Sequence, residues 1–194
     1  MSNSNPTRVV TGLARFSYLN VFAPRAFNEH DKPKYSVTLL VPKSDTETVN
    51  AVRNAISAAY EDGKAAKFRT SAGKQLTLSE IRTPLRDGDE ERPFDPNYAG
   101  CYFINCSSFR KPGVVDADLR DILDPSDVVS GDYGRAELSF YAYDFRGNRG
   151  IAAGLNNLQL LRKGQPLGGQ HTAASAFASV PAAAAFEEAA DLPF

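Results

Sequence analysis

The sequence predicts a mainly β protein: a curled antiparallel sheet with one inserted helix and a flexible tail. Three observations carry that expectation. Four or five runs alternate apolar and polar residues with the period of two that half-buried strands require. Residues 44–63 switch to helical spacing, and the last 31 residues show no periodicity and contain no Lys or Arg. Strong strands, a helix inserted between them and long loops fit a five-stranded OB-type barrel best.

A chain of 194 residues can bury one proper core and still carry appendages. Its 42% hydrophobic and 23% charged residues are ordinary for a globular domain. No apolar run reaches the roughly 18 to 20 residues of a membrane span. The start MSNSNPTRVV has no apolar core of a signal peptide, so the expected setting is the cytoplasm.

Residues 1–7 are expected to be a disordered start, 8–163 the folded domain and 164–194 a linker with a distinct tip. RVVTGLARFSYLNVF reads as one long strand with Gly12 marking a bulge or sharp coil. In KYSVTLLVPK, Tyr35, Val37, Leu39 and Val41 share one face, and Ser36, Thr38 and Leu40 the other. Ser44 and Glu47 form a capping box for a helix bearing Val49, Val52, Ile56 and Tyr60, with Gly63 as its C-terminal cap. Residues 64–99 read as a long excursion with one short helix. CYFINCSS is a strand whose Cys101 and Cys106 point to opposite faces and cannot bridge. RAELSFYAYDF and NRGIAAGLNNLQLL are two more strands joined at a hairpin.

The first of those two carries the functional signal. Arg135, Ser139, Tyr141, Tyr143 and Phe145 share one face, whereas Leu138, Phe140 and Ala142 already make a core face. Aromatic rings beside cations on a sheet surface suit single-stranded nucleic acid, whose bases stack and whose phosphates attract charge. The same rings could instead pack under a helix or loop, or form a homodimer interface. Related clusters recur as Arg15 with Tyr18, Lys34 with Tyr35, and Phe109 with Arg110 and Lys111. The DGD turn can aim Arg86 at a phosphate.

Asp87, Asp89 and Glu91 alternate as loop ligands for a hard cation would, which keeps a metal-dependent nuclease open as an alternative. A solvated acidic loop is the plainer reading. Two Cys and two His form no zinc-type cluster, and no phosphate loop, nucleophile elbow or Cys/His pair is present. No catalytic residue, metal or cofactor is expected. A structural or adaptor protein whose aromatic face is a protein interface is the other alternative.

Charge divides the chain. Up to Lys163 there are 22 Lys and Arg against 20 Asp and Glu; the remaining acids are Glu187, Glu188 and Asp191. A weakly basic body with an acidic tip results.

Taken together, LARFSYLNVFAPRAF, KYSVTLLVPKSD, PLRDGD, SSFRKPGVVD, SFYAYDFRGNRGIAAGLNNLQLLRKGQPLGG and the terminal DLPF resemble the phage-encoded single-stranded-DNA-binding proteins with an OB fold. The resemblance spans residues 8–169 and resumes at the tip. It implies a barrel that coats single-stranded DNA during phage replication, recombination and repair without catalysis. It further implies that the tip, Glu187, Glu188, Asp191, Leu192, Pro193 and Phe194, docks on replication and recombination proteins such as polymerase or helicase. The resemblance implies as well that the tip can fold back over the DNA groove.

Overall fold

The computed structural model describes residues 5–26, 28–29, 31–70 and 72–167. Its strands are β1 (Arg8–Val10), β2 (Ala14–Arg25), β3 (Lys34–Pro42), β4 (Leu85–Asp87), β5 (Cys101–Ser108), β6 (Gly113–Val115), β7 (Tyr133–Phe145) and β8 (Asn148–Arg162); the helices are α1 (Thr46–Lys67) and α2 (Gly88–Glu91). Five strands close a ring, β2–β3–β5–β8–β7 and back to β2, in which only the β5–β8 pair is parallel. That is the strand order of an OB barrel, as the sequence led us to expect. The short strands β1, β4 and β6 add to β7, β5 and β8 respectively.

Strand parity builds the core. Ala136, Leu138, Phe140 and Ala142 of β7 point inward with Val37, Leu39 and Val41 of β3. The stripe Val49, Val52, Ile56 and Tyr60 of α1 joins them in one apolar cluster. The β7–β8 hairpin turns at Arg146 and Gly147, both with positive φ (51° and 82°), the mirror-image turn that suits strand twist. Cys106 lies in the core, where burial pushes its thiol up to about 12, and Cys101 sits on the opposite face.

Several local expectations are corrected. RVVTGLARFSYLNVF is two strands, not one: Gly12 interrupts it and donates its N–H to Thr48 Oγ1 at 2.7 Å. A Cβ there would meet the Asp45 carboxylate at 2.5 Å, so the glycine serves a close approach to α1 rather than a bulge. The helix is capped by Asp45, which accepts from Thr48 N at 3.0 Å, not by a Ser44–Glu47 box. It also runs past Gly63 to Lys67, because Gly63 packs against β7, where a Cβ would come within 2.2 Å of Ala142 Cβ. The 64–99 excursion holds α2, a strand and two 3-10 turns, Leu78–Glu80 and Pro96–Tyr98, rather than a single short helix.

Residues 164–167, expected within the linker, are tied to the barrel. Gly164 N–H donates to Asp132 at 3.0 Å and Leu167 N–H to Ser130 O at 2.7 Å. The tip residues Glu187, Glu188, Asp191, Leu192, Pro193 and Phe194 lie outside the described residues. Among the described residues, no helix is long and apolar enough to cross a membrane.

Candidate nucleic-acid interface

The outward face of the ring has a floor of small polar side chains. Ser17 pairs with Thr38, and Thr38 with Asn105; Asn20 pairs with Ser36, and Ser36 with Ser107. Directly opposed residues share a face, so all six stand on one side of the sheet. Thr38 Oγ1 donates to Asn105 Oδ1 at 2.8 Å, which leaves the Asn105 amide N–H groups without a protein acceptor among the described residues. Asn105 and Ser107 are common to two clefts of about 470 and 890 Å³, the size range of ligand sites.

The smaller cleft is walled by Tyr18, Arg92 and Tyr98. Tyr18 reaches it through a bulge, where Tyr18 and Leu19 of β2 occupy the place of one β3 residue. Its φ of 48° lies in the left-handed region, uncommon for a tyrosine, and its ring is 62% exposed. Tyr98 is buried edge-on against Phe103, with ring centroids 5.2 Å apart, and burial pushes its hydroxyl above the usual tyrosine range. The larger cleft is walled by Tyr143 and Ala152 of the hairpin and by Arg82 and Arg86 of the excursion. Tyr141 stands on the same side of β7, half in water at 50% exposure.

Lys34, Phe109, Arg110 and Lys111 gather where β3 begins and β5 ends. Lys34 Nζ lies 4.8 Å from the Phe109 ring centre, and Phe109 is 64% exposed. Lys111 Nζ lies over Phe22 at 5.9 Å. Arg82, Arg92, Lys34, Arg110 and Lys111 have no carboxylate within 4 Å among the described residues.

Three residues expected at the interface, Tyr35, Arg135 and Arg15, are placed off it, and a fourth, Arg86, lines the larger cleft with its guanidinium already engaged. Tyr35 follows the inward parity of Val37 and is half-buried, off the face that carries Thr38. Arg135 bonds Gln159 Oε1 (2.7 Å from Nη2) near the other end of β7, eight residues or about 26 Å from Tyr143. Arg15 stacks on Tyr133 and donates to Gly131 O, Asn97 Oδ1 and Gln165 O, so its guanidinium latches the start of the tail segment. Arg86 lies over Phe103 and forms a two-pronged pair with Glu91, which raises its pKa and lowers that of Glu91.

The acidic loop does not converge on an empty centre. Lys43 Nζ sits 2.7 Å from Asp87 and 2.8 Å from Asp89. Those hydrogen bonds hold both carboxyls below their ordinary range and push the ammonium up. Asp87 additionally caps α2 through Asp89 N at 2.9 Å. The carboxylates that suggested a nuclease are thus engaged as counter-ions and caps.

Arg82, Arg92 and Tyr98 escaped the sequence reading. Arg82 and Arg92 sit among acids and prolines without strand periodicity, and only the fold of the excursion brings them to the face.

A family model described as "Enterobacter phage Enc34, ssDNA-binding protein" matches residues 7–190. Protein p50 of Acyrthosiphon pisum secondary endosymbiont phage 1 is 27% identical over 156 residues, 80% of this chain and 83% of that one. Among solved structures, the single-stranded DNA-binding protein of bacteriophage Enc34 in complex with ssDNA aligns with a TM-score of 0.72 at 19% identity, covering 84% of this chain and 90% of that one. The single-stranded DNA binding protein gp2.5 of bacteriophage T7 aligns with a TM-score of 0.54 at 14% identity, covering 89% and 98%. Both structural likenesses are to the fold.

Proposed function

The chain belongs to the phage Enc34 single-stranded-DNA-binding protein family, and from that premise we propose that it coats single-stranded DNA without reading sequence and without catalysis. The observation that carries the reading is the polar β3–β5 floor between Tyr18 and Tyr98 on one side and Tyr143 on the other, with Arg82 and Arg92 free of carboxylate partners among the described residues. The equivalent face of OB folds, with the first and last hairpin loops beside it, holds oligonucleotides. Here those are the β2–β3 connection and the β7–β8 hairpin tip at Arg146 and Gly147. Bases stack on the rings that reach solvent, Tyr18, Tyr141 and Tyr143, each worth about 1–3 kcal/mol, while the cations hold phosphates.

Residues 8–167 act as the DNA-binding body in the cytoplasm of the infected cell, and the tip as a docking peptide for replication and recombination proteins. As a coil, the 19 residues of 168–186 would span about 22–26 Å. The tip can then reach either its own groove or a partner protein.

One titration tests this. Labelled oligo-dT is expected to bind far more tightly than duplex of equal length. Its log affinity should fall against log salt with a slope of about −0.7 per phosphate contacted. A chain ending at Phe186 should bind as well or slightly better and lose capture of the replication proteins. Equal affinity for duplex would overturn the DNA reading; unchanged capture would overturn the docking role alone.

A further inference from the structure

Between α2 and Tyr98, the loop holds Phe94 with 98% of its surface in water, more than any other large apolar side chain among the described residues. The loop is not loose. Arg92 N–H donates to Gly88 O at 2.9 Å, and Asp95 N–H to Arg92 O at 3.0 Å. The Asp95 carboxylate accepts from Asn97 N at 3.0 Å and from Asn97 Nδ2 at 2.9 Å. Pro93 and Pro96 fix two further φ angles. A braced backbone therefore presents this ring to solvent, so little conformational entropy remains to be lost when something packs on it.

Its place on the molecule points to the occupant. Arg92 borders the cleft that contains Thr38 and Asn105. Asp95 and Asn97 border the adjoining one, and Tyr18 and Tyr98 are common to both. Phe94 thus belongs to the rim between two clefts of one face. Beside it, the Arg92 guanidinium lies 5.8 Å from the Tyr98 ring centre and has no carboxylate within 4 Å among the described residues. An exposed ring two residues along the chain from a cation that has no carboxylate within 4 Å among the described residues offers the two groups that a base and its phosphate require.

We propose that Arg92 and Phe94 form a lip that closes the smaller cleft over single-stranded DNA, Phe94 stacking on a base and Arg92 pairing with the neighbouring phosphate. The inference rests on the DNA-binding reading above and adds a contact on the side of the face opposite Tyr143. It also explains why an acidic excursion borders a surface for a polyanion: its tip delivers a ring and a cation.

The chain contains no tryptophan, so Phe94→Trp places a single reporter on the lip. Its emission should be quenched by oligo-dT, saturating at the same stoichiometry as the anisotropy of a labelled oligonucleotide. In parallel, Phe94→Ala should lower affinity about five-fold or more with unchanged melting. Arg92→Ala should flatten the log-log salt slope by about 0.7. Oligonucleotide binding with unmoved Trp emission and full affinity in Phe94→Ala would overturn the lip while the DNA-binding reading stands; the ring would then serve a protein contact. Absence of oligo-dT binding by the unaltered chain would remove both.

Discussion

The β7–β8 hairpin and the excursion between α1 and β5 wall the same cleft, yet different forces hold them. The hairpin is a long ladder from Tyr133–Arg162 to Phe145–Asn148, with one side in the core and the other in water. The excursion has little ladder. It is pinned by caps and ion pairs: Lys43 with Asp87 and Asp89, Arg86 with Glu91, Lys74 with Glu80. Burial sets which hairpin rings reach water. Charge pairing sets which excursion cations can meet a phosphate.

Adjacent residues on β7 sharpen the comparison most. Phe140 is 2% exposed and Tyr141 is 50% exposed. Phe140→Ala should therefore cost about 3–5 kcal/mol of stability, as ring removal from a core does. Tyr141→Ala should leave thermal unfolding nearly unchanged and weaken oligo-dT binding by about 1–3 kcal/mol. Melting curves and titrations on the two variants read this directly; a large loss of melting temperature in Tyr141→Ala would show that its ring is structural.

The same contrast explains what the sequence could tell. Alternation in RAELSFYAYDF revealed the inward set Leu138, Phe140 and Ala142, because the hydrophobic effect acts on every second residue of a strand. The ring of five strands followed from such runs. The C-terminal end of α1 was missed because close packing decided it: Gly63 is needed against Ala142, not as a cap. At the interface, Tyr141, Tyr143 and the Lys34–Phe109 group were legible as aromatic-cation clusters. Arg15 was not, since its partners Asn97, Gly131 and Gln165 are distant in sequence. Arg92 and Tyr98 gained their place from irregular backbone, which leaves no period to read.

A smaller effect is expected where an ion pair holds a cation back. Arg86 lines the large cleft, but its fork is occupied by Glu91, and both side chains are more than a third exposed. Pairs this exposed contribute about 0–1 kcal/mol, so Glu91→Gln should barely alter melting. It should raise affinity for oligo-dT a few-fold at low salt, because Arg86 then meets phosphate without an intramolecular competitor, and the gain should fade as salt rises. Unchanged affinity with an unchanged salt slope would place Arg86 outside the DNA path.

The smallest effect concerns acid, and its sign follows from the clamp. Lys43 and backbone N–H groups hold Asp87 and Asp89 below the ordinary carboxylate range, and Lys74 with Thr77 pulls Glu80 down to about 2. The unfolded chain takes up these protons more readily than the folded one. Their stabilisation is therefore present above the usual carboxylate values near 4 and is lost as pH falls through the depressed folded ones. The Lys43 shift is opposite in sign: its contribution is complete below the ordinary lysine range and disappears only as pH rises through its raised folded value. Between those limits the excursion stays clamped, so Lys43→Met should melt slightly lower than the unaltered chain from about pH 5 to 9. As pH falls below the ordinary carboxylate range and through the depressed folded values the two curves should converge, because protonated Asp87 and Asp89 no longer distinguish lysine from methionine. The buried Phe140 ring carries no titratable group, so Phe140→Ala should keep its deficit across the same range. A Lys43→Met deficit that persisted undiminished in acid strong enough to protonate both carboxyls would mean that the side chain stabilises the excursion through packing over Tyr102, 5.2 Å away, rather than through charge.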